Sequence, residues 1–370
     1  MAGNMFFSYG VYAVLIGMII MTFFMKEVKL EYNKSLIVLV ILYALIAILS
    51  ALFNSQIILL LNGLVFLVMF VSTSVVSYSY FNNSIGKIVI YTFLLSQIPV
   101  ILIPLLSGVE TFPYSGIFEN PNAFGIAAAT LFAVILSILF SNIEETVFFK
   151  KKPSKIKMIA FIFITTLSFL LVIISSSRTS FLAGVVSIMV GLFCVFLLSI
   201  KYKRTINLII KTVVSLPILY FLYLIINKFI PIQMYLQENT LSKFAKKSSN
   251  SLDGRGYVWE KTISEASIFG HGEGYFDGSI DLGAHNTFIY ILGVYGWLAT
   301  IVFTLFIFIS MYYCIKFIFS NNNYKYLPIL MMTTFLVLSI GENMFNRITM
   351  MMVFILIGLV ANNSKVVVTS

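Results

Sequence analysis

Charge is scarce in this chain: 24 Lys and Arg and 14 Asp and Glu among 370 residues leave only 10% charged, against 60% apolar. The charges gather in short clusters between apolar runs of roughly 15–24 residues, which no soluble core requires. Cysteine is nearly absent too, and Cys194 and Cys314 each sit inside an apolar run, where a thiol acts as a small hydrophobe, so no disulfide is expected. No basic stretch is interleaved with stacking aromatics, which removes nucleic acid as a partner despite a formal charge of +10. The first apolar stretch, Met5 to Phe24, has no basic residue before it and no small-x-small pattern after it, and it reads as a membrane helix rather than a secretory signal. Repeats, low-complexity tracts and Pro/Gly-rich linkers are also missing, so residues 1–370 read as one polytopic membrane domain.

A helix needs about 20 apolar residues to cross the hydrocarbon layer, where every backbone N–H and C=O must be paired internally. The apolar runs therefore predict helices over Phe7–Phe24, Ser35–Phe53, Ile57–Ser79, Ile88–Leu106, Ala123–Phe140, Met158–Ile174, Phe181–Leu198, Leu208–Asn227, Val294–Phe317, Tyr326–Ile340 and Ile348–Val360. The fold class expected is an all-α integral membrane protein with eleven spans, within a range of ten to twelve. Lysine and arginine accumulate in cytoplasmic loops. Placing Lys26–Lys34, Lys87, Lys150–Lys157, Lys201–Arg204, Lys211, Lys316, Lys325 and Lys365 inside collects 16 of the 24 cations and 4 of the 14 carboxylates. That gives +12 inside and −2 outside, with the N-terminus outside and the C-terminus inside, and it accounts for the whole excess charge.

The outer polar surface then consists of Ser107–Asn122, the turn Ser175–Ser180, the large extracytoplasmic loop Lys228–His285 and the turn Gly341–Arg347. In the loop, Trp259, Ile263 and Ala266 recur at i, i+4 and i+7, predicting an amphipathic helix over the membrane domain. Gly270-His271-Gly272-Glu273-Gly274 follows, suited either to a plain sharp turn or to close approach of a ligand. Arg178 lies in Ser175-Ser176-Ser177-Arg178-Thr179-Ser180, at an outer boundary where topology disfavours a cation. A guanidinium there can fork onto phosphate, or simply anchor to lipid headgroups; Arg255 in Gly254-Arg255-Gly256 poses the same choice. His285-Asn286 precedes an apolar run of about 33 residues to Phe319, too long for one upright helix, and Gly293 and Gly296 predict a short surface or half-helix before the true span. An imidazole at that junction, with an ordinary pKa near ~6.5, can serve as a base or simply cap the helix.

Five segments in order, Gly116-Ile117-Phe118-Glu119-Asn120-Pro121-Asn122, Ser175-Ser176-Ser177-Arg178, Gly254-Arg255-Gly256-Tyr257-Val258-Trp259, Gly270-His271-Gly272-Glu273-Gly274 and Ala284-His285-Asn286-Thr287, resemble the O-antigen ligase and Wzy-type polysaccharide polymerase family. The resemblance implies a GT-C-like membrane glycosyltransferase that needs neither metal nor other cofactor. It would move a glycan from an undecaprenyl-pyrophosphate carrier to an acceptor hydroxyl at the outer face of the cytoplasmic membrane. It further implies that Arg178 and Arg255 hold the pyrophosphate and that His285 is catalytic, with Asn120, Asn122, Glu273, Asp281, Asn286, Glu342 and Arg347 as supporting candidates. The partners implied are the carrier-linked oligosaccharide and the bilayer, with a chain-length regulator and flippase of the same pathway. Within the family the sequence points to a polymerase, with ligation to a lipid A core as the alternative. A lipid-linked oligosaccharide flippase is the reading from another class, but transporters carry repeats and midplane charges that are not seen here.

Overall fold

The computed structural model describes residues 2–24, 30–106, 113–118, 120–148, 155–203, 255–280, 282–346 and 348–363. Among them every regular element is helical: α1 (Ala2–Phe24), α2 (Lys34–Phe53), α3 (Ile57–Phe81), α4 (Ile85–Leu106), α5 (Pro121–Phe148), α6 (Lys155–Ile174), α7 (Arg178–Lys201), α8 (Arg255–Ser264), α9 (Thr287–Ile318), α10 (Tyr326–Gly341) and α11 (Ile348–Asn363). The expected spans fall on these helices apart from Leu208–Asn227, which lies outside the described residues along with loop residues 228–254, Asp281 and Arg347. Six helices, α2, α3, α5, α6, α7 and α9, are long and apolar enough to cross a membrane, while Gly10–Thr22, Ile85–Pro99, Tyr326–Gly341 and Val353–Asn362 are apolar but shorter. Several hydroxyls inside the helices are satisfied locally: Thr22, Thr73, Thr130 and Thr165 each donate to the carbonyl four residues earlier.

The chain forms two compact units. The first holds α1 to α3, α8, α9, the end of α10 and α11. There α2 and α3 meet at small residues, where a Cβ on Gly63 would stand 2.6 Å from the Ala47 methyl. Within α3 a π-helical turn, Val71–Val76, widens the backbone, and Ser77 Oγ donates to the Ser72 carbonyl five residues back. Ser72 and Ser74 use that turn to reach the carbonyls of Leu15 and Phe354, tying α1 and α11 to α3. The second unit holds most of α4 and α10 with α5, α6 and α7. Gly125 lies against Ser177 at one end of α5 and Phe148 against Tyr202 at the other, so α5 and α7 run parallel.

The long apolar run ahead of Phe319 is broken as its length requires. Gly296 takes φ 86° and ψ −176° inside α9. A straight helix would separate Phe288 from Phe303 by about 22 Å, yet their ring centroids are 5.7 Å apart. The chain therefore folds back at Gly296, and Thr287–Tyr295 forms a short arm whose Ile291, Val294 and Tyr295 are fully buried rather than a helix on the surface. The break separates the Gly293 carbonyl from the Trp297 N–H, which would pair in a continuous helix. Gly293 O instead accepts from His271 N at 2.8 Å, Trp297 N donates to Ser267 O at 3.0 Å, and Val294 O accepts from Gly272 N at 3.2 Å. Of the alternating glycines, Gly270 thus serves a close approach to backbone, while Gly272 lies against the Gln56 side chain. Gly270 and Gly296 both have positive φ, and an added Cβ would lie 2.3 Å from Val294 O or from Ile268 O respectively. Gly270→Ala and Gly296→Ala are each expected to cost about 2 kcal/mol or more, seen as a lower thermal midpoint of the purified protein. Gly274→Ala, whose Cβ meets nothing within 4 Å, should leave the midpoint in place. Parental midpoints for the first two variants would rule out the fold-back.

Candidate active site

Helix α8 begins at Arg255 and buries Val258 and Thr262, one turn apart, whereas Ile263 is exposed and Ala266 lies beyond the helix end. The buried stripe is thus rotated by one position from the expected Trp259–Ile263 stripe. Thr262 can turn inward because its hydroxyl donates to the Val258 carbonyl at 2.7 Å, while the Trp259 indole needs a partner for its N–H and finds the Ala284 carbonyl at 3.0 Å. That bond fixes the residue directly before His285.

His285 has φ 43°, a left-handed backbone that histidine adopts more readily than bulky residues but still at a cost. Asn286 then caps the short arm of α9, its side chain accepting from Phe288 N at 2.8 Å and Ile289 N at 3.1 Å. Thr287 binds the turn after α10 twice: its hydroxyl donates to the Glu342 carbonyl at 3.2 Å and accepts from Met344 N at 2.9 Å. These contacts hold the Glu342 carboxylate between two candidate residues. Oε2 is 3.4 Å from His285 Nδ1 and Oε1 is 3.9 Å from Arg255 Nη2, while Arg255 Nη1 donates to the Gly341 carbonyl at 3.1 Å. The Glu342 side chain is 12% exposed, Arg255 22% and His285 47%, so the imidazole faces outward from a buried carboxylate.

The alternative bases nearby are engaged elsewhere. His271 Nε2 lies 2.7 Å from the Glu265 carbonyl and its ring stacks on Tyr275. Glu273 accepts from the Tyr290 hydroxyl at 2.7 Å, and its N–H donates to Gln56 at 2.8 Å. Burial, reinforced by its bond to the Glu265 carboxylate, pushes the Tyr275 phenol up to about 12, so it stays neutral. Asp281 and Arg347 lie outside the described residues.

In the second unit Arg178 is the first residue of α7, behind Ser177, whose side chain caps that helix by accepting from Ser180 N. Ser175, Ser176 and Ser177 are buried; the Ser175 hydroxyl donates to the Val172 carbonyl and accepts from Ser177 N, and the Ser177 hydroxyl accepts from the Ser180 hydroxyl. Gly125 permits this turn, since an added Cβ would lie within 2.9 Å of Ser175, Ser177 and Ser180. Asn120 caps α5 by accepting from Ala123 N at 2.8 Å, and Asn122 is exposed in the first turn. At the far ends of α5 and α7 a cleft of about 410 Å³ is lined by Glu144, Glu145, Tyr202 and Asn321–Asn323, beside a buried Lys325–Glu144 ion pair at 2.6 Å.

Sequence reasoning named Glu342 only as a supporting residue and missed Thr287. A lone carboxylate in the short turn Gly341–Arg347, between two apolar helices, was the available signal for the first; a threonine following His-Asn gave none for the second.

No curated protein and no solved structure matches the chain. Its several apolar helices make it a multi-pass membrane protein. Residues 161–304, the stretch that carries Arg178, Arg255 and His285, match the family model described as O-antigen ligase, and in that stretch the chain is similar to the O-antigen ligase and Wzy-type family.

Proposed function

We propose that the protein is a polysaccharide polymerase of the cytoplasmic membrane, transferring glycan from an undecaprenyl-pyrophosphate-linked donor to an acceptor sugar hydroxyl at the outer face. The observation that carries this reading is the Glu342 carboxylate standing between His285 and Arg255, which gathers a candidate base and a candidate phosphate ligand at one place. In this reading His285 receives the acceptor hydroxyl proton, and Arg255 binds phosphate oxygens of the donor, a role Arg178 also takes. Guanidinium groups stabilise the charge that grows on pyrophosphate as the sugar–phosphate bond breaks more than they stabilise the intact donor. That supplies the electrostatic help for which other transferases use a metal. The charge asymmetry of the sequence supports an extracytoplasmic site.

The description of the matching family favours a second reading, ligation to a separate acceptor such as a lipid A core. The flippase reading has no support. Purified protein supplied only with the carrier-linked oligosaccharide is expected to lengthen it without any ion gradient. Transfer that appears only when a second acceptor is added would replace polymerase with ligase. Failure of both, alongside gradient-dependent movement of intact donor, would remove the glycosyltransferase reading.

A further inference from the structure

We infer that Glu342 is a positioning residue that sets the proton arrangement of His285. The inference rests on the base role proposed above. Its backbone is held on both sides, by Thr287 at its own carbonyl and at Met344 N and by Arg255 at the Gly341 carbonyl, so the turn that carries the carboxylate is fixed by α8 and by the start of α9. Oε2 lies on the Nδ1 side of the imidazole. A carboxylate there takes the proton-bearing nitrogen, which leaves the Nε2 lone pair for the acceptor. Gly283 flanks the Nε2 edge, and because it lacks a side chain it leaves that edge clear on its side: an added Cβ there would stand 3.5 Å from Nε2, in direct contact.

The step then balances. The acceptor O–H bond breaks and its proton passes to Nε2, the acceptor oxygen bonds to the anomeric carbon, and the carbon–phosphate oxygen bond breaks with its electron pair leaving on the pyrophosphate. His285 becomes an imidazolium between the reacting oxygen and Glu342, and the buried carboxylate opposes the charge it gains. Arg255 touches the other oxygen of the same carboxylate. Glu342 thus acts on the reaction through His285 and does not itself touch substrate.

The test is a double-mutant cycle on the purified full-length protein with a carrier-linked oligosaccharide, measuring kcat and donor KM for Glu342→Gln, His285→Gln and the double variant. Glu342→Gln is expected to lower kcat by about tenfold or more with a smaller change in KM, and to change the His285→Gln background by no more than about twofold. Additive losses would mean that Glu342 acts independently of the histidine, and a parental kcat for Glu342→Gln would mean that it does not act at all; either overturns the inference. Should Glu342→Gln not reach the membrane, Glu342→Asp takes its place, with the same non-additivity expected and the same outcomes overturning it. Parental turnover in His285→Gln itself would instead remove the underlying base assignment.

Discussion

His285→Gln is expected to reach the membrane at parental levels and to lose about 10²–10⁴-fold in transfer rate, the usual worth of a positioned general base. Glutamine keeps a hydrogen-bonding side chain of similar reach but cannot take up a proton near neutral pH. The substitution also leaves the Asn286 cap and the Thr287 clamp untouched, because both use the residues that follow. In cells the variant should accumulate carrier-linked repeat units in place of polymer. A sugar hydroxyl is far less acidic than an imidazolium, so transfer to His285 must be concerted with bond formation at the anomeric carbon. Substantial retained turnover in vitro would reduce the histidine to orienting the acceptor.

Arg255→Lys should also lose most activity, by about 10²–10³-fold, the scale on which removing one preorganised donor to a developing anion is felt. Charge is conserved in this variant, so any loss reports the geometry. Arg255 now uses one nitrogen on the Gly341 carbonyl and presents another towards Glu342. Only a planar fork can keep its structural bond while offering further N–H groups to a phosphate; an ammonium on a flexible stem must choose. Arg178→Lys is expected to behave similarly, from a position at the head of α7 where Ser177 already serves the cap. Parental rates in the lysine variants would return both arginines to the role of headgroup anchors.

Much of the helical architecture was legible from hydropathy because each apolar run had to be paired internally and its ends marked by charge. The break in α9 was legible as well, since a run of that length cannot be one upright span and two glycines lay inside it. Its direction was not: the sequence left a short surface helix and a half-helix both open, and the Phe288–Phe303 contact turns the arm into the core of its unit. The rotation of α8 was hidden for a related reason. Apolar periodicity weighs Trp and Ile above Thr, while a hydroxyl that bonds its own helix is as easily buried. The candidate residues were named one by one through family resemblance, and the way they assemble was not legible. Glu342 is 57 positions from His285 and 87 from Arg255, and no local pattern announces that a turn after α10 meets the start of α9.

The contact between Gly270 and Gly296 has an evolutionary corollary. When a bulky substitution strikes a side-chain neighbour, a second change can shrink that neighbour and restore the fit. Here the obstructing atoms are the carbonyls of Val294 and Ile268, which every amino acid carries. No replacement at positions 294 or 268 can make room, so suppressors of Gly270→Ala or Gly296→Ala should be absent from those sites in a random library. The two glycines form a constraint that drift at their contact partners cannot loosen, and any relative that loses one of them must have abandoned this way of turning the chain.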